Sequence, residues 1–528
     1  MILTDVLRRN AARLPDRPAL SGQGRELSYA ELAQAQDRLA AGFRRLDIQR
    51  NERVAIYLDK RPETVLSIFA AFAAGAVAVP CNPVLKPAQV AHILRDSGAR
   101  TLVTSARRLE VLGAHLAGGD LRCVITVDAE PPAPRPGLAT LAWHELVALG
   151  DGADAAPAGP AVDTDIAAIL YTSGSTGKPK GVVLSHRNLA VGGESVAGYL
   201  GNGPHDRILA ALPLSFDAGL SQLTTAFTAG ATVVLHNFLV PQDVARVCAR
   251  ERITGMTCVP PLWIKLAQAR WDDDARANLR YFANTGGRMP RDVLDRLRRL
   301  FPNAAPYLMY GLTEAFRSTY LDPGQVDRRP DSIGKAIPNA EILVVKADGT
   351  LAGPGEEGEL VHRGPLVSLG YWNDPERTAA RFRPAPGQPD GLPMPEMAVW
   401  SGDIVRLDED GYLYFVSRMD EMIKTSGYRV SPSEVEEVVY DSGCVAEAAA
   451  FGVPHRELGE AIVVALVPAA GVDDAAAAVR AHCATALPAY MQPAQIDVLS
   501  SLPQSPNGKI DRRALAAHRT GLFQETEV

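Results

Sequence analysis

Hydroxyls, glycines and lysines crowd one short stretch of the chain, LYTSGSTGKPKGV at residues 170–182. Glycine lets backbone amides approach phosphate oxygens without a clash, hydroxyls add donors, and a lysine neutralises charge. The stretch is not a Walker loop, which needs G-x-x-x-x-G-K-[ST]: the residue five before Gly177 is Thr172, and Lys178 is followed by Pro179. Taken alone, such a loop serves equally well as a flexible connection. Four further stretches hold residues suited to chemistry. Tyr310-Gly311-Leu312-Thr313-Glu314 follows an apolar run, and Trp400-Ser401-Gly402-Asp403 precedes a polar turn. Arg418-Met419-Asp420 lies where the sequence pattern changes, and Ser505-Pro506-Asn507-Gly508-Lys509 sits near the C-terminal end. Each by itself reads as a solvated turn, a helix cap or a surface lysine.

The elements that must position these residues alternate. Residues 29–46 have the apolar spacing of a helix, and short strand runs recur at 53–58, 101–104 and 123–127. That alternation predicts βαβ units and a parallel sheet. A Pro/Ala/Gly-rich passage at 130–164 reads as a surface connection around one short helix. Residues 166–171 then read as a buried strand delivering the Gly/Ser/Thr loop, with the segment from Ser185 onward following it. Runs at 341–345, 358–363 and 412–416, separated by Gly/Asp turns, predict a small β-barrel-like unit. Beyond Ser417 the pattern becomes a compact α+β module, with strands at 446–453, 461–467 and 496–499 and a helix at 473–486. The expected fold is α/β: two αβ subdomains and a small β unit over 1–416, then a small C-terminal domain over 417–528.

Bulk properties narrow the function. At 528 residues two or more units are expected, and 47% hydrophobic against 22% charged residues describes a soluble globular chain. A net charge of −7 gives no support for nucleic acid as a principal partner. Six scattered cysteines without a C-x-x-C pair suit reduced thiols in a cytoplasmic protein, and the ten histidines show no metal-ligand spacing. No signal peptide is evident at the start of the sequence. Residues 64–85 are uncharged and long enough to span a bilayer, but they are rich in Ala and Gly and contain Pro80 and Pro83. A buried helix running into a short strand is expected there, without membrane insertion.

Taken together and in this order, the motifs resemble the adenylate-forming superfamily: acyl-CoA and aryl-CoA synthetases, peptide-synthetase adenylation domains and beetle luciferases. The resemblance covers essentially the whole chain. It implies a ligase acting in two steps: a carboxylate attacks the α-phosphate of ATP to give an acyl-adenylate and pyrophosphate, and a thiol then displaces AMP. The chemical needs of the first step are cations, oriented donors and in-line positioning. By this resemblance Thr172, Ser173, Gly174, Ser175, Thr176, Gly177 and Lys180 would cradle the β- and γ-phosphates. Tyr310 and Gly311, with Gly287 and Arg288, would lie at the adenine, and Asp403 and Arg418 at the ribose or phosphate. Thr313 would touch the α-phosphate, and Glu314 would help hold Mg²⁺. Lys509 would reach from the small domain to the carboxylate and α-phosphate. The small domain would turn about a hinge at Asp420 to present a second face, containing KTSGYRV at 424–430. Leu308, Ser401 and Ser417 depart from the common pattern, and none of these changes removes a charged group.

The acid is addressed by LPLSFDAGL at 212–220. Phe216-Asp217 resembles the Phe-Asp of amino-acid-activating domains, where the carboxylate binds an α-ammonium; otherwise Asp217 caps a helix beginning near Ala218. Phe216, Asp217, Gly286 and Gly311 are the expected acid-binding residues. A plain fatty or aryl acid is the alternative substrate. The alternatives in other classes are a luciferase-like oxygenase and a non-catalytic nucleotide-binding paralogue. The runs at 284–290, 310–320 and 328–339 resemble AMP-forming ligases of bacterial exosortase-associated loci, which commonly accompany a small carrier protein. No Gly-Gly-x-Ser attachment site follows Lys509, the one such match, Gly192-Gly193-Glu194-Ser195, lying within 1–416. The thiol, of CoA or of carrier-bound phosphopantetheine, is therefore expected to come in trans.

Overall fold

The computed structural model describes residues 2–128, 137–152, 162–172, 179–418, 422–503 and 510–523, with the backbone alone at Ser417, Arg418, Ser433 and Arg513. Three sheets organise the chain. One has seven strands in the order Ala139–Ala142, Cys123–Thr126, Thr101–Thr104, Arg53–Ile56, Val77–Pro80, Ile166–Thr172 and Lys180–Ser185. All its pairings are parallel except the last. The uncharged segment near residue 64 folds as the buried helix Pro62–Ala74, ended by Gly75 at φ 77°, and the short strand Val77–Pro80. Among the described residues no helix is long and apolar enough to cross a membrane.

The second sheet has fourteen strands. Its parallel half contains Pro18–Gly22, Thr232–Leu235, Arg207–Ala210, Gly255–Cys258, Tyr281–Asn284 and Ala305–Tyr310. It then turns antiparallel through Thr319–Leu321 and Ser332–Ala336 to Leu413–Arg418, Met397–Leu407, Glu357–Arg363 and Glu341–Val345. The β unit expected as a separate piece is therefore hydrogen-bonded into this sheet, because Ser332–Ala336 pairs with Leu413–Arg418. The result is a mixed α/β protein with a large N-terminal and a small C-terminal domain. The small domain carries five strands, with Gln495–Val498 parallel to Gly459–Pro468, around its own core of Ile423, Val435, Val464 and Val479.

Local chemistry explains the element ends. Ser28 caps helix Tyr29–Arg45, and Glu31 returns the bond to the Ser28 amide. Ser185 and Asn188 do the same for His186–Tyr199. Inside that second helix Gly192 faces the buried Phe316 ring: a Cβ there would lie 2.5 Å from ring Cδ1. Gly192→Ala gains about 1 kcal/mol of helix propensity, but displacing a buried ring costs about 1–3 kcal/mol. A net loss of up to about 2 kcal/mol is expected, measured as a lowered midpoint in thermal unfolding.

Candidate active site

A cleft of about 2410 Å³ lies between the large body and the small domain. Thr172, Phe216 and Asp217 line it, as do Gly286, Gly287 and Arg288, and Tyr310, Gly311, Thr313 and Asp403. The small domain contributes Tyr428 and Arg429. Residues far apart in sequence thus meet in one cavity. Ser173, Gly174, Ser175, Thr176, Gly177, Asp420 and Lys509 lie outside the described residues.

Thr172 and Lys180 stand opposite each other on two antiparallel strands. The expectation of a loop leading on to the Ser185 segment is corrected here. The strand Lys180–Ser185 lies ahead of that segment and pairs antiparallel with Ile166–Thr172. The apolar run of that strand, Gly181 to Leu184, is buried.

Lys180 points at Glu314. Its Nζ donates to Glu314 Oε1 at 3.0 Å and to the Tyr371 hydroxyl at 2.7 Å, and that hydroxyl donates to the same Oε1 at 2.7 Å. Glu314 is 1% exposed. Burial pushes its carboxyl up, but Lys180, Arg429 and Arg381 with the Tyr371 hydroxyl outweigh this and hold it well below the usual range. Burial conversely lowers Lys180 to about 8, against the pull of Glu314. Glu314 Oε2 accepts no hydrogen bond among the described residues, and Arg429 Nη1 stands 3.9 Å from it. An ionised carboxylate oxygen with lone pairs to spare is the donor that Mg²⁺ takes, so the residues present fit that ion. Tyr371 was not foreseen, since an isolated Gly-Tyr-Trp carries no spacing signal.

At the other side of the cleft Tyr310 donates to Asp403 Oδ2 at 2.5 Å, so the expected adenine and ribose residues adjoin. Asp403 pairs in register with Arg418 across two antiparallel strands. Asn284 steadies the neighbouring glycine turn by donating to the Gly287 carbonyl at 2.8 Å. Arg288 is different. It is exposed at the rim and ion-paired to Asp331, which it shares with Arg291. It nevertheless lines the same cleft as Gly287 and Tyr310.

The acid-binding stretch is braced from three sides. Gln222 donates to the Leu209 and Thr257 carbonyls and accepts from the Leu212 amide. Lys60 Nζ, from the first sheet's subdomain, donates to the Ala211 carbonyl at 2.5 Å. Phe216 is the N-cap of helix Asp217–Ala229, so Asp217 is its first residue rather than its cap. Burial raises the Asp217 carboxyl.

The small domain meets the cleft with the 424–430 stretch, which folds as a hairpin. Strands Ile423–Thr425 and Tyr428–Val430 are joined by Ser426 and Gly427, both at positive φ (54° and 81°), the geometry of a two-residue I′ turn. Gly427 abuts Val259 of the large body: a Cβ there would lie 2.8 Å from Val259 Cγ1. Tyr428 packs edge-on against Phe216 at 4.8 Å and stacks on Tyr490 at 3.7 Å. The face presented to the cleft is thus the one expected to serve the second step.

Comparison with known proteins defines the class to which this geometry belongs. The AMP-binding enzyme family model matches residues 7–372, and that of the AMP-binding enzyme C-terminal domain matches 434–509. The chain belongs to the AMP-binding enzymes. It is 33% identical over 511 residues to a feruloyl-CoA synthase of Amycolatopsis sp, covering 95% of this chain and 96% of that one. It is 30% identical over 518 residues to a linear gramicidin synthase of Brevibacillus parabrevis, covering 98% of this chain but spanning only 10% of that protein's length. Among solved structures, o-succinylbenzoate CoA synthetase of Bacillus subtilis is 28% identical in two complexes. A double mutant bound to the product analogue OSB-NCoA gives a TM-score of 0.81, with 97% and 98% of the two chains covered. The complex with the acyl-adenylate OSB-AMP gives 0.67, with 99% and 98% covered.

Proposed function

We propose that this AMP-binding enzyme activates a carboxylic acid with ATP as its acyl-adenylate, releasing pyrophosphate, and then passes the acyl group to a thiol. The observation that carries the reading is the convergence of Lys180 and Arg429, one from each domain, on the buried Glu314. Next to Thr313, Lys180 and Glu314 supply charge that phosphate displacement needs without a protein nucleophile, and Arg429 joins them in the arrangement seen here. Thr313 orients the α-phosphate, and Lys180 turns from Glu314 toward the departing phosphates. Mg²⁺ on Glu314 Oε2 would neutralise phosphate charge there. Tyr310, Gly287 and Asp403 receive the nucleoside, the 172–177 loop grips the β- and γ-phosphates, and Lys509 brings the mobile charge. Residues 1–416 act as the adenylating body and 417–528 as a domain turning about Asp420. The greater likeness to the OSB-NCoA complex supports taking the arrangement seen here as the thiol-transfer one.

The acid is assigned as an amino acid, from Asp217 at the cleft with its carboxyl raised by burial. An α-ammonium is the partner that relieves that desolvation. Asp217→Ala is expected to lower kcat/KM for amino acids about 10–100-fold in ATP–pyrophosphate exchange while leaving simple acids unaffected. Wild-type exchange with fatty or aryl acids only, the reading favoured by the feruloyl-CoA synthase likeness, would overturn this role. The acceptor is a phosphopantetheine thiol, on CoA or on a carrier protein in trans. The resemblance to ligases of exosortase-associated loci favours the carrier, and thioester trapping with each acceptor separates them.

A further inference from the structure

The acid end of the cleft holds a second charge. Arg317 lines the same cavity as Asp217 and is 2% exposed. Its Nη1 donates to Thr285 Oγ1 at 3.1 Å. Its Nε has no hydrogen-bond partner, and the side chain makes no ion pair within 4.0 Å, among the described residues. A guanidinium has five donors and cannot shed its proton. Leaving one of those donors buried and unmatched incurs the full desolvation cost of the group.

The backbone is strained to place it there. Phe316 has φ 57° and ψ −55°, and the Arg317 amide donates to the Ala315 carbonyl at 2.6 Å. That two-residue bond closes a γ-turn of the rare, positive-φ kind. The turn is pinned by the fully buried Phe316 ring, for which Gly192 leaves room. Gly192 admits the ring, the ring fixes the turn, and the turn sets Arg317 at the cavity.

Arg317 and Asp217 do not satisfy each other by an ion pair. Arg317 is the foremost of the cations acting on Asp217, but it only partly offsets the effect of burial there. A monocarboxylic amino acid would match Asp217 and leave Arg317 bare; a fatty or aryl acid would match neither. The reacting carboxylate has Lys509 as its cation in the proposed reaction and becomes a neutral acyl group, so Arg317 is surplus to it. We infer that Arg317 is a substrate-binding residue for a second anionic group, and that the acid activated is an amino acid bearing a further carboxylate. This inference rests on the reading of Asp217 as the ammonium site.

The test compares ATP–pyrophosphate exchange by the full-length protein on aspartate and glutamate, their amides asparagine and glutamine, alanine and leucine, and simple acids. Wild type should favour an acidic amino acid over its amide by about 10–150-fold. Arg317→Met should abolish that preference, chiefly through KM, and Arg317→Lys should restore part of it. Calorimetric binding of the acidic amino acid without ATP should weaken in parallel. Should Arg317→Met not fold, the wild-type ranking decides alone. Amides or neutral amino acids exchanging as well as acidic ones, or a preference that survives Arg317→Met, overturns the inference and leaves the amino-acid reading standing. Exchange with simple acids only overturns both that reading and the inference. No exchange with any acid overturns the proposed reaction itself.

Discussion

Replacing Lys509 by alanine is expected to cut ATP–pyrophosphate exchange by at least about 10²–10³-fold, roughly 3–4 kcal/mol of transition-state stabilisation. Thiolysis of a supplied acyl-adenylate should remain close to wild type. The separation follows from the two faces of the small domain. The face seen at the cleft is the hairpin bearing Tyr428 and Arg429, packed on Phe216 and facing Glu314. Under the proposed alternation Lys509 would act only once the domain has turned, so its loss should leave the thiol-transfer step intact. Equal damage to both half-reactions would contradict alternation, and normal exchange would remove Lys509 from the first step.

Glu314→Gln is expected to lower exchange by a similar factor, about 10²–10³-fold. Glutamine keeps the shape and the acceptor for Lys180 and Tyr371 but removes the negative charge offered to a divalent cation. The variant also alters pH dependence, in a direction set by the charges around Lys180. Burial lowers Lys180 to about 8, while Glu314 pulls it upward and Arg429 and Arg381 push it down. Lys180 must be protonated to grip phosphate, so wild-type kcat/KM for ATP should fall as pH rises through about 8. With Glu314 neutral, the upward pull is lost and the alkaline limb moves to lower pH. A limb that stays in place would mean that Lys180 does not titrate in this range.

Much of the fold was legible, for identifiable reasons. Thr101–Thr104 and Glu341–Val345 are short apolar runs bounded by turn residues, and both fold as strands with the bounds expected. The strand Lys180–Ser185 was hidden because a Gly/Lys-rich beginning masked its apolar run. The helix Pro432–Asp441 was likewise missed, although Ser431-Pro432 with Glu434 is a start signal.

The candidate site divides the same way. Thr313, Glu314, Tyr310 and Asp403 stand in contiguous motifs, and motif order alone suggested them. The environment of Glu314 is assembled from residues 180, 371, 381 and 429, which no local pattern links. Arg317 lies three residues beyond Glu314, and its burial arises from a γ-turn whose space Gly192 provides on a distant helix. Spacing carries no trace of such a contact.

An enzyme of this kind performs acid-dependent chemistry at the α-phosphate of ATP. The most direct test of that chemistry is ATP–pyrophosphate exchange over the panel of amino and carboxylic acids, with the nucleotide product identified once a thiol acceptor is added. Exchange that depends on an acid is expected, followed by AMP and a thioester. Exchange with no acid on the panel, or ADP and phosphate in place of AMP and pyrophosphate, would contradict it.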